Sequence, residues 1–487
     1  MPGSFFSWFQ PPRSPHPTPH SLLVHKEMSA DADVVASALA DVLDTHGYRE
    51  SCMPLTTMPS IAGGPPTGDE YMAANLPPGC TSEASILLQL FLLGKRIDTS
   101  AVEAAVGEAA VASLSACGIL IHSDVPDLPS KHSYASMQVY PLVVPGGQPS
   151  MLLLCTDWDA VDPLVDAVMP VGVDSLQLAL AMPPVASCLA GKRVLDVCCG
   201  CGIQGLAAAA RGARFVLLSD LSPRAIHFAR LNARLNQLNA SVVAAEPGSG
   251  YTPAKRHLSM TRDLPFDLVL CNPPFVAVPS RLKLDPALYV AGGDDGAELV
   301  RSFLDDAPRI LSPTGSVLLV AQFPNIDEAH IWLLRTSHDD ESQALQEGFE
   351  LCVAYDPRHT MSTDRYAAAR AADYPGCSPR EWASAMRVAG VKTMGFGLLV
   401  AKRKASASRG RRLLIEVAEG DGSTATMLYG HGLSELRKAV AQSLGAVVVA
   451  TAPRGTEDLV ARGSFGSVHA APTKCTPRPR SCGANHE

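Results

Sequence analysis

A chain of 487 residues, at about 150 per domain, has room for roughly three folded units or for two with tails. Hydrophobic residues make up 47% and charged residues 18%, which excludes the polar, highly charged composition of a chain that cannot collapse. Forty Lys and Arg against 48 Asp and Glu give a net charge of −8, excluding a uniformly basic coat for nucleic acid and leaving room only for a local patch.

Residues 1–30 combine Phe5, Phe6, Trp8 and Phe9 with many prolines, and before Glu27 carry only Arg13 and Lys26 as charges. A disordered leader is expected, because so few arginines among so many prolines make a poor amphipathic transit helix. The longest apolar run, Ile86 to Leu93, is interrupted by Gln89 and followed by Lys95 and Arg96, too short to span a bilayer. The thirteen cysteines are scattered, several inside apolar stretches (Cys155, Cys188, Cys271, Cys352), as reduced core thiols are. A cytoplasmic, reducing compartment and no membrane contact are therefore expected.

From Asp31 to about Ser123 the periodicity is helical: Val35, Leu39 and Val42 share a face, and Ile86 to Leu93, Ala101 to Val106 and Val111 to Leu120 follow. A strand pair, Ser136 to Val144 and Met151 to Cys155, closes the unit, so residues 31–160 read as an α-rich domain of winged-helix type. Few Lys or Arg lie here, and a packing or substrate-positioning lid is at least as good a reading as a nucleic-acid binder.

Strands and helices alternate from Arg193 onward. Strands are expected at Arg193 to Cys198, Phe215 to Asp220, Ala240 to Ala245, Phe266 to Cys271 and Gly315 to Phe323. Ser222 caps a helix with Pro223 at its first position and Phe228, Leu231, Leu235 and Leu238 along it. This is the pattern of an α/β, doubly wound, Rossmann-like sheet over residues 169–404, whose ligands sit beyond the carboxyl ends of the strands. The basic run Lys402, Arg403, Lys404, Arg409, Arg411 and Arg412 could touch phosphates, though a solvated linker is the commoner explanation. Strand-like Leu413 to Val417 and Ala446 to Ala450, with helix-like Leu433 to Ser443 between, suggest a small αβ element over 405–463. Residues 464–487 read as a loose basic tail.

The first strand runs into a turn, Asp196-Val197-Cys198-Cys199-Gly200-Cys201-Gly202-Ile203-Gln204-Gly205. Its glycine spacing also satisfies the dinucleotide fingerprint. A carboxylate just before the loop would repel a pyrophosphate but attract an ammonium group, such as the methionine end of S-adenosylmethionine. Asp220, with Leu221 after it, closes the second strand and suits two ribose hydroxyls in either cofactor. The three cysteines have no zinc spacing and no His beside them, so no metal is expected.

The discriminating motif is Asn272-Pro273-Pro274-Phe275 at the end of the fourth strand. Two prolines stiffen the loop and push Asn272 toward an extended conformation. The Asn272 side-chain oxygen and the Pro273 carbonyl can then accept both N–H bonds of a planar amide or exocyclic amine, and Phe275 can stack on it. A rigid Pro-Pro turn alone would explain the prolines but not the asparagine.

Asp196 to Gly202, Asp220 with the Ser222-Pro223 helix, and Asn272 to Phe275 together resemble the class I S-adenosylmethionine-dependent methyltransferases of the small-domain type. That group includes release-factor glutamine amide methyltransferases and ribosomal RNA guanine exocyclic-amine methyltransferases. Ala291 to Arg301 looks like the glycine turn and helix of the glutamine enzymes, whereas Phe275 stands where those enzymes more often have Tyr. The resemblance implies a seven-stranded sheet and S-adenosylmethionine held by Asp196, Gly200, Gly202, Asp220, Leu221 and Asn272. It also implies direct methyl transfer to nitrogen at Asn272, Pro273, Pro274 and Phe275, with no nicotinamide cofactor. The substrate expected is a protein glutamine, as in a translation release factor. Guanine or adenine amines of RNA or DNA are the alternative, an inert fold serving as an RNA-binding module is the non-enzyme alternative, and a partner subunit is left open.

Overall fold

The structure, a computed structural model, describes residues 31–55, 81–123, 131–158, 166–182, 189–261, 264–284, 286, 288–326, 349–355, 360–374, 377–403 and 412–416. The expected leader, the basic tail and most of the 405–463 element lie outside these residues.

Helix α1 (Ala32–Thr45) is capped by Asp31, which accepts from Asp33 N at 2.9 Å, and buries the Val35, Leu39 and Val42 stripe. Helix α2 (Tyr48–Leu55) follows; it was not foreseen, since Pro54 and a mostly polar segment give no apolar stripe. Then come α3 (Ser82–Phe91), β1 (Ile97–Asp98), α4 (Thr99–Val106), α5 (Glu108–Ala116), β2 (Leu120–Ser123) and β3 (His132–Ala135). β3 pairs antiparallel with both β1 and β2, giving the helix–strand–helix–helix–strand–strand order of a winged helix. The wing is therefore β2–β3, not the pair expected at 136–155. Its polar residues hid it: His122 Nδ1 and Ser133 Oγ lie 2.9 Å apart, and Ser133 Oγ and Thr99 Oγ1 also 2.9 Å apart.

The expected pair exists as a separate antiparallel hairpin, β4 (Gln138–Val143) with β5 (Met151–Thr156), in which every β5 side chain is buried. After α6 (Val173–Ala181) the main sheet begins: β6 (Arg193–Val197), α7 (Ile203–Ala210), β7 (Phe215–Asp220), α8 (Pro223–Leu235), β8 (Val243–Pro247), α9 (Thr252–Thr261), β9 (Phe266–Cys271), α10 (Glu298–Asp306) and β10 (Leu311–Pro324). β11 (Phe349–Tyr355), β12 (Met361–Ser362), α11 (Thr363–Ala371), α12 (Pro379–Val388), β13 (Thr393–Arg403) and β14 (Arg412–Glu416) complete it.

The sheet order is β14-β11-β13-β10-β9-β6-β7-β8, with β12 hooked onto β13. The five strands β8, β7, β6, β9 and β10 are parallel, and β13 is antiparallel to both β10 and β11. The sheet has nine strands where seven were expected: β14, parallel to β11, extends one edge, and the short β12 adds a second extra strand against β13. The third strand starts three residues later than expected. Val242 N donates to Asn239 O and Ser241 N to Asn239 Oδ1, so residues 239–242 are spent on a turn.

Two asparagines, one in the last turn of α8 and one capping it, join hairpin to sheet domain. Asn236 Oδ1 accepts from Leu153 N at 2.8 Å while its Nδ2 donates to Leu153 O at 2.7 Å, and Asn232 does the same to Cys155 at 2.7 and 3.0 Å. One helical turn apart, the pair satisfies alternate N–H and C=O groups on the β5 edge that β4 leaves open, standing in for a neighbouring strand. Arg234 Nε, 2.7 Å from Asp33 Oδ1, adds an exposed tie between α8 and α1.

Candidate active site

The chain runs β6, β7, β8 to one side of the sheet and then returns to lay β9 on the other side of β6, so a crevice opens between the carboxyl ends of β6 and β9. The glycine turn leaves β6 there, and Asn272 leaves β9 there, since Val197 and Cys271 are register partners.

In the turn, Cys198, Gly200 and Gly202 take φ of 56°, 53° and 85°. The two glycines adopt the left-handed region without penalty; Cys198 is a strained exception. Asp196 lies wholly buried under the turn, its Oδ2 accepting from Gly205 N at 2.8 Å and its Oδ1 without a hydrogen-bond partner. Burial pushes its pKa up to about 8, opposed by the Gly205 N–H and assisted by the charge of Asp220. Gly205 is required for packing, because a Cβ there would meet Leu218 Cδ2 at 2.2 Å and Asp196 Cβ at 3.0 Å. Above Gly200 a Cβ would meet nothing within 4 Å, so the outer side of the turn is open.

Asp220 Oδ2 accepts from Gly200 N and Oδ1 from Ser222 N, both at 2.9 Å. It thus ties the turn to the end of β7, and each oxygen keeps a second lone pair. Burial raises its pKa, against the lowering effect of those N–H groups. Leu221 beside it is 55% exposed, an apolar surface next to the carboxylate.

Asn272 Nδ2 donates to Asp174 Oδ2 at 3.0 Å and to Ser175 Oγ at 3.2 Å, while its Oδ1 is buried without a partner. Asp174 and Ser175, in the first turn of α6, were not foreseen; an Asp-Ser pair at a helix start reads as ordinary capping, and 98 residues separate Asp174 from Asn272. Phe275 is 6% exposed and meets Phe396 edge-on, with ring centroids 6.2 Å apart at 65°. The Gly292 to Gly296 turn lies directly behind the motif. A Cβ on Gly292 would meet Phe275 Cα at 2.6 Å and Pro274 O at 2.8 Å, and one on Gly296 would meet Phe275 O at 2.6 Å. Arg301 closes that turn by donating to both Asp295 oxygens at 2.7 and 3.0 Å.

A second small core, with Tyr366, Trp382, Met386 and Met394 around Ala277 and Val278, packs α11 and α12 against the strand of chain that follows Phe275. Tyr366 OH accepts from Ala277 N at 3.1 Å and donates to Gln322 Oε1 at 2.9 Å.

The described members of the basic run lie away from this site. Lys402 pairs with Ser316 near the start of β10, the rim of the sheet opposite the crevice, and Arg403 Nη1 donates to Leu311 O at 2.6 Å. Lys404, Arg409 and Arg411 lie outside the described residues.

The residues present fit S-adenosylmethionine. The turn is open above Gly200, the Asp220 carboxylate stands at the end of β7 beside an exposed Leu221, and Asp196 Oδ1 and Asn272 Oδ1 are buried without partners, so acceptors remain for a nucleoside and for N–H groups.

The methyltransferase small domain family model matches residues 175–333. The chain is 31% identical over 182 residues to the ribosomal protein uL3 glutamine methyltransferase of Bordetella pertussis, covering 33% of this chain and 55% of that protein. It is 34% identical over 135 residues to the release factor glutamine methyltransferase of Deinococcus radiodurans, covering 26% and 44%. Among solved structures, the SAM-dependent methyltransferase from Agrobacterium tumefaciens aligns at 15% identity with a TM-score of 0.34, over 59% of this chain and 77% of that one. The chain spans about half the length of the curated relatives it matches.

Proposed function

We propose that the chain is an S-adenosylmethionine-dependent N-methyltransferase whose acceptor is the side-chain amide of a protein glutamine. The observation that carries this reading is the Asn272 Oδ1, buried and unpartnered at the carboxyl end of β9, beside the glycine turn. When bound, S-adenosylmethionine supplies an electrophilic methyl group on a sulfonium.

The chain's own residues supply position and charge. Asp220 and the open turn hold a nucleoside, and Asn272 Oδ1 with the Pro273 carbonyl accepts the two N–H bonds of a planar amide. Held so, the nitrogen is turned toward the methyl group, and the positive charge that develops on it is stabilised by two fixed dipoles. The rigid Pro-Pro loop, backed by Gly292 and Gly296, keeps these acceptors from collapsing onto one another.

Glutamine is favoured over a base amine on two grounds. Several relatives that the chain resembles are named as glutamine methyltransferases of release factors and of ribosomal protein uL3. In addition, the described part of the basic run sits on the far rim of the sheet, with Arg403 committed to a backbone carbonyl. The helix α5 of the winged-helix unit, Glu108–Ala116, carries no basic residue with which to hold a duplex.

The test is methyl transfer from tritium-labelled S-adenosylmethionine to a total cell extract, separated into protein and RNA. Label in protein, recovered as methylated glutamine after digestion, is the expected result. Label in RNA that falls steeply as salt rises from about 50 to about 200 mM would replace this substrate with a base amine. No label in either fraction, despite calorimetric binding of S-adenosylhomocysteine, would favour a binding module.

A further inference from the structure

We infer that Asp174 and Ser175 are positioning residues of the methyl-transfer site, holding the Asn272 amide so that its Oδ1 alone faces the acceptor. The inference rests on the reading of Asn272 given above and extends it to the beginning of α6. Three observations carry it.

First, both hydrogens of the Asn272 amide are spoken for: Nδ2 lies 3.0 Å from Asp174 Oδ2 and 3.2 Å from Ser175 Oγ. A carboxylate accepts and cannot donate, so the amide nitrogen must face Asp174, and the flipped amide would set two oxygens against each other. The orientation that leaves Oδ1 free for a substrate N–H is therefore imposed by the partner.

Second, the arrangement has a cost that packing alone does not explain. Asp174 is 4% exposed and Ser175 3%, and among the described residues Asp174 forms no ion pair. A buried carboxyl whose side-chain partner is a neutral amide is destabilising relative to an apolar side chain of the same size. Burial raises the Asp174 pKa; the Asn272 hydrogen bond opposes that rise most, followed by the backbone N–H groups of Ser175 and Asp174 at the start of the helix.

Third, the support is rigid. Asp174 and Ser175 stand in the first turn of a nine-residue helix, whereas Asn272 sits on a loop, so the loop side chain is fixed by a regular element. Polar groups held in this way need no reorganisation as charge develops on the acceptor nitrogen.

The test compares Asp174→Leu, Ser175→Ala, Asn272→Ala and the Asp174→Leu/Asn272→Ala double variant, using labelled S-adenosylmethionine and total cell protein. Asp174→Leu is close in size and offers Asn272 Nδ2 no acceptor, so the amide is free to turn. It should lower the transfer rate by about 100-fold, as Asn272→Ala does, with a far smaller effect on S-adenosylhomocysteine affinity. Ser175→Ala should lose less. The double variant should be no slower than Asn272→Ala alone, because Asp174 acts only through Asn272.

A second readout needs neither substrate nor turnover. In the wild-type protein the Asn272 side-chain amide resonance, assigned by its disappearance in Asn272→Ala, should exchange slowly with solvent and move in Ser175→Ala. Full activity of Asp174→Leu, losses that multiply in the double variant, or a fast-exchanging Asn272 amide would each overturn the inference. Should Asp174→Leu not fold, the wild-type resonance and Ser175→Ala decide alone. If the wild-type protein binds no S-adenosylhomocysteine and transfers no label, the functional reading falls, and the amide resonance still judges the pair.

Discussion

Asn232, in the last turn of α8, donates from its Nδ2 to the carbonyl of Cys201 at 2.9 Å, and the same nitrogen reaches Cys155 O at 3.0 Å. One buried amide thus spans the glycine turn of the sheet domain and the β5 edge of the N-terminal unit. Asn236, one turn on, holds β5 at Leu153 but does not touch the turn.

The two asparagines should separate stability from cofactor binding. Asn232→Ala and Asn236→Ala each strand buried backbone groups, and each should lower the urea unfolding free energy by about 2–4 kcal/mol. Asn232→Ala alone should also weaken S-adenosylhomocysteine binding in calorimetry. Equal affinities in the two variants would mean that the Cys201 bond does not shape the turn.

Cys198 carries a side chain at φ 56°, where neighbouring positions of the turn use glycine. Cys198→Gly removes the left-handed penalty at the expense of chain entropy in the unfolded state, for a net gain of a few tenths to about 1 kcal/mol. Cys198→Ala keeps the penalty and should bring no gain. Thermal denaturation of the two variants side by side measures the difference.

Gly205→Ala should cost about 1–3 kcal/mol through overpacking, since the new methyl group would stand 2.2 Å from Leu218 Cδ2. The Leu218 end can swing away; Asp196 Cβ, at 3.0 Å, cannot move without breaking the Gly205 N–H bond to its carboxylate. A lower melting temperature together with weaker S-adenosylhomocysteine binding is the expected pair of results.

Asp196 makes stability depend on pH. Its pKa rises from 3.8 to about 8 on folding because it is buried, so between those values the folded chain holds a proton that the unfolded chain has released. Its contribution is therefore fully present below about 3.8, declines as pH rises through the window and is lost above about 8. Asp196→Asn keeps an acceptor for Gly205 N and lacks the titration. Urea midpoints taken across that window should fall for wild type relative to the variant; parallel curves would place the proton elsewhere.

Tyr366→Phe removes an acceptor for Ala277 N and a donor to Gln322 Oε1, both buried. A loss of about 2 kcal/mol is expected by chemical denaturation. Ala277 follows the Asn-Pro-Pro-Phe motif by two residues, so the transfer rate should drop more than S-adenosylhomocysteine affinity does.

The parallel half of the sheet was readable because buried strands and short connections leave an unmistakable period, and because Ser222-Pro223 announces its helix. Asn272 was readable because two prolines mark the loop. What escaped has a common cause: it depends on contacts across long separations or on polar residues with no period. Asp174 meets Asn272 only once α6 is laid over the sheet, and α2 and the β2–β3 wing have no apolar stripe. The role of Gly292 and Gly296 is visible only when the backbone of Pro274 and Phe275 lies against them. Asp196 itself was legible as a conspicuous acid, but not its burial, which follows from the turn folding down over it.

The sheet order has a consequence for how the chain leaves the ribosome. β11 is flanked by β13 and β14, both of which are encoded after it, and β10 takes β13 as its outer neighbour. At about 5–20 residues per second, the stretch from Tyr355 to Arg403 takes a few seconds to synthesise. For that time Phe-Glu-Leu-Cys-Val-Ala-Tyr has neither of its final neighbours, and the long apolar β10 has one open edge. Nascent chains stalled before Thr393 would carry both as templates for pairing with other chains, which makes the arrival of β13 and β14 the step that protects all the rest from aggregation.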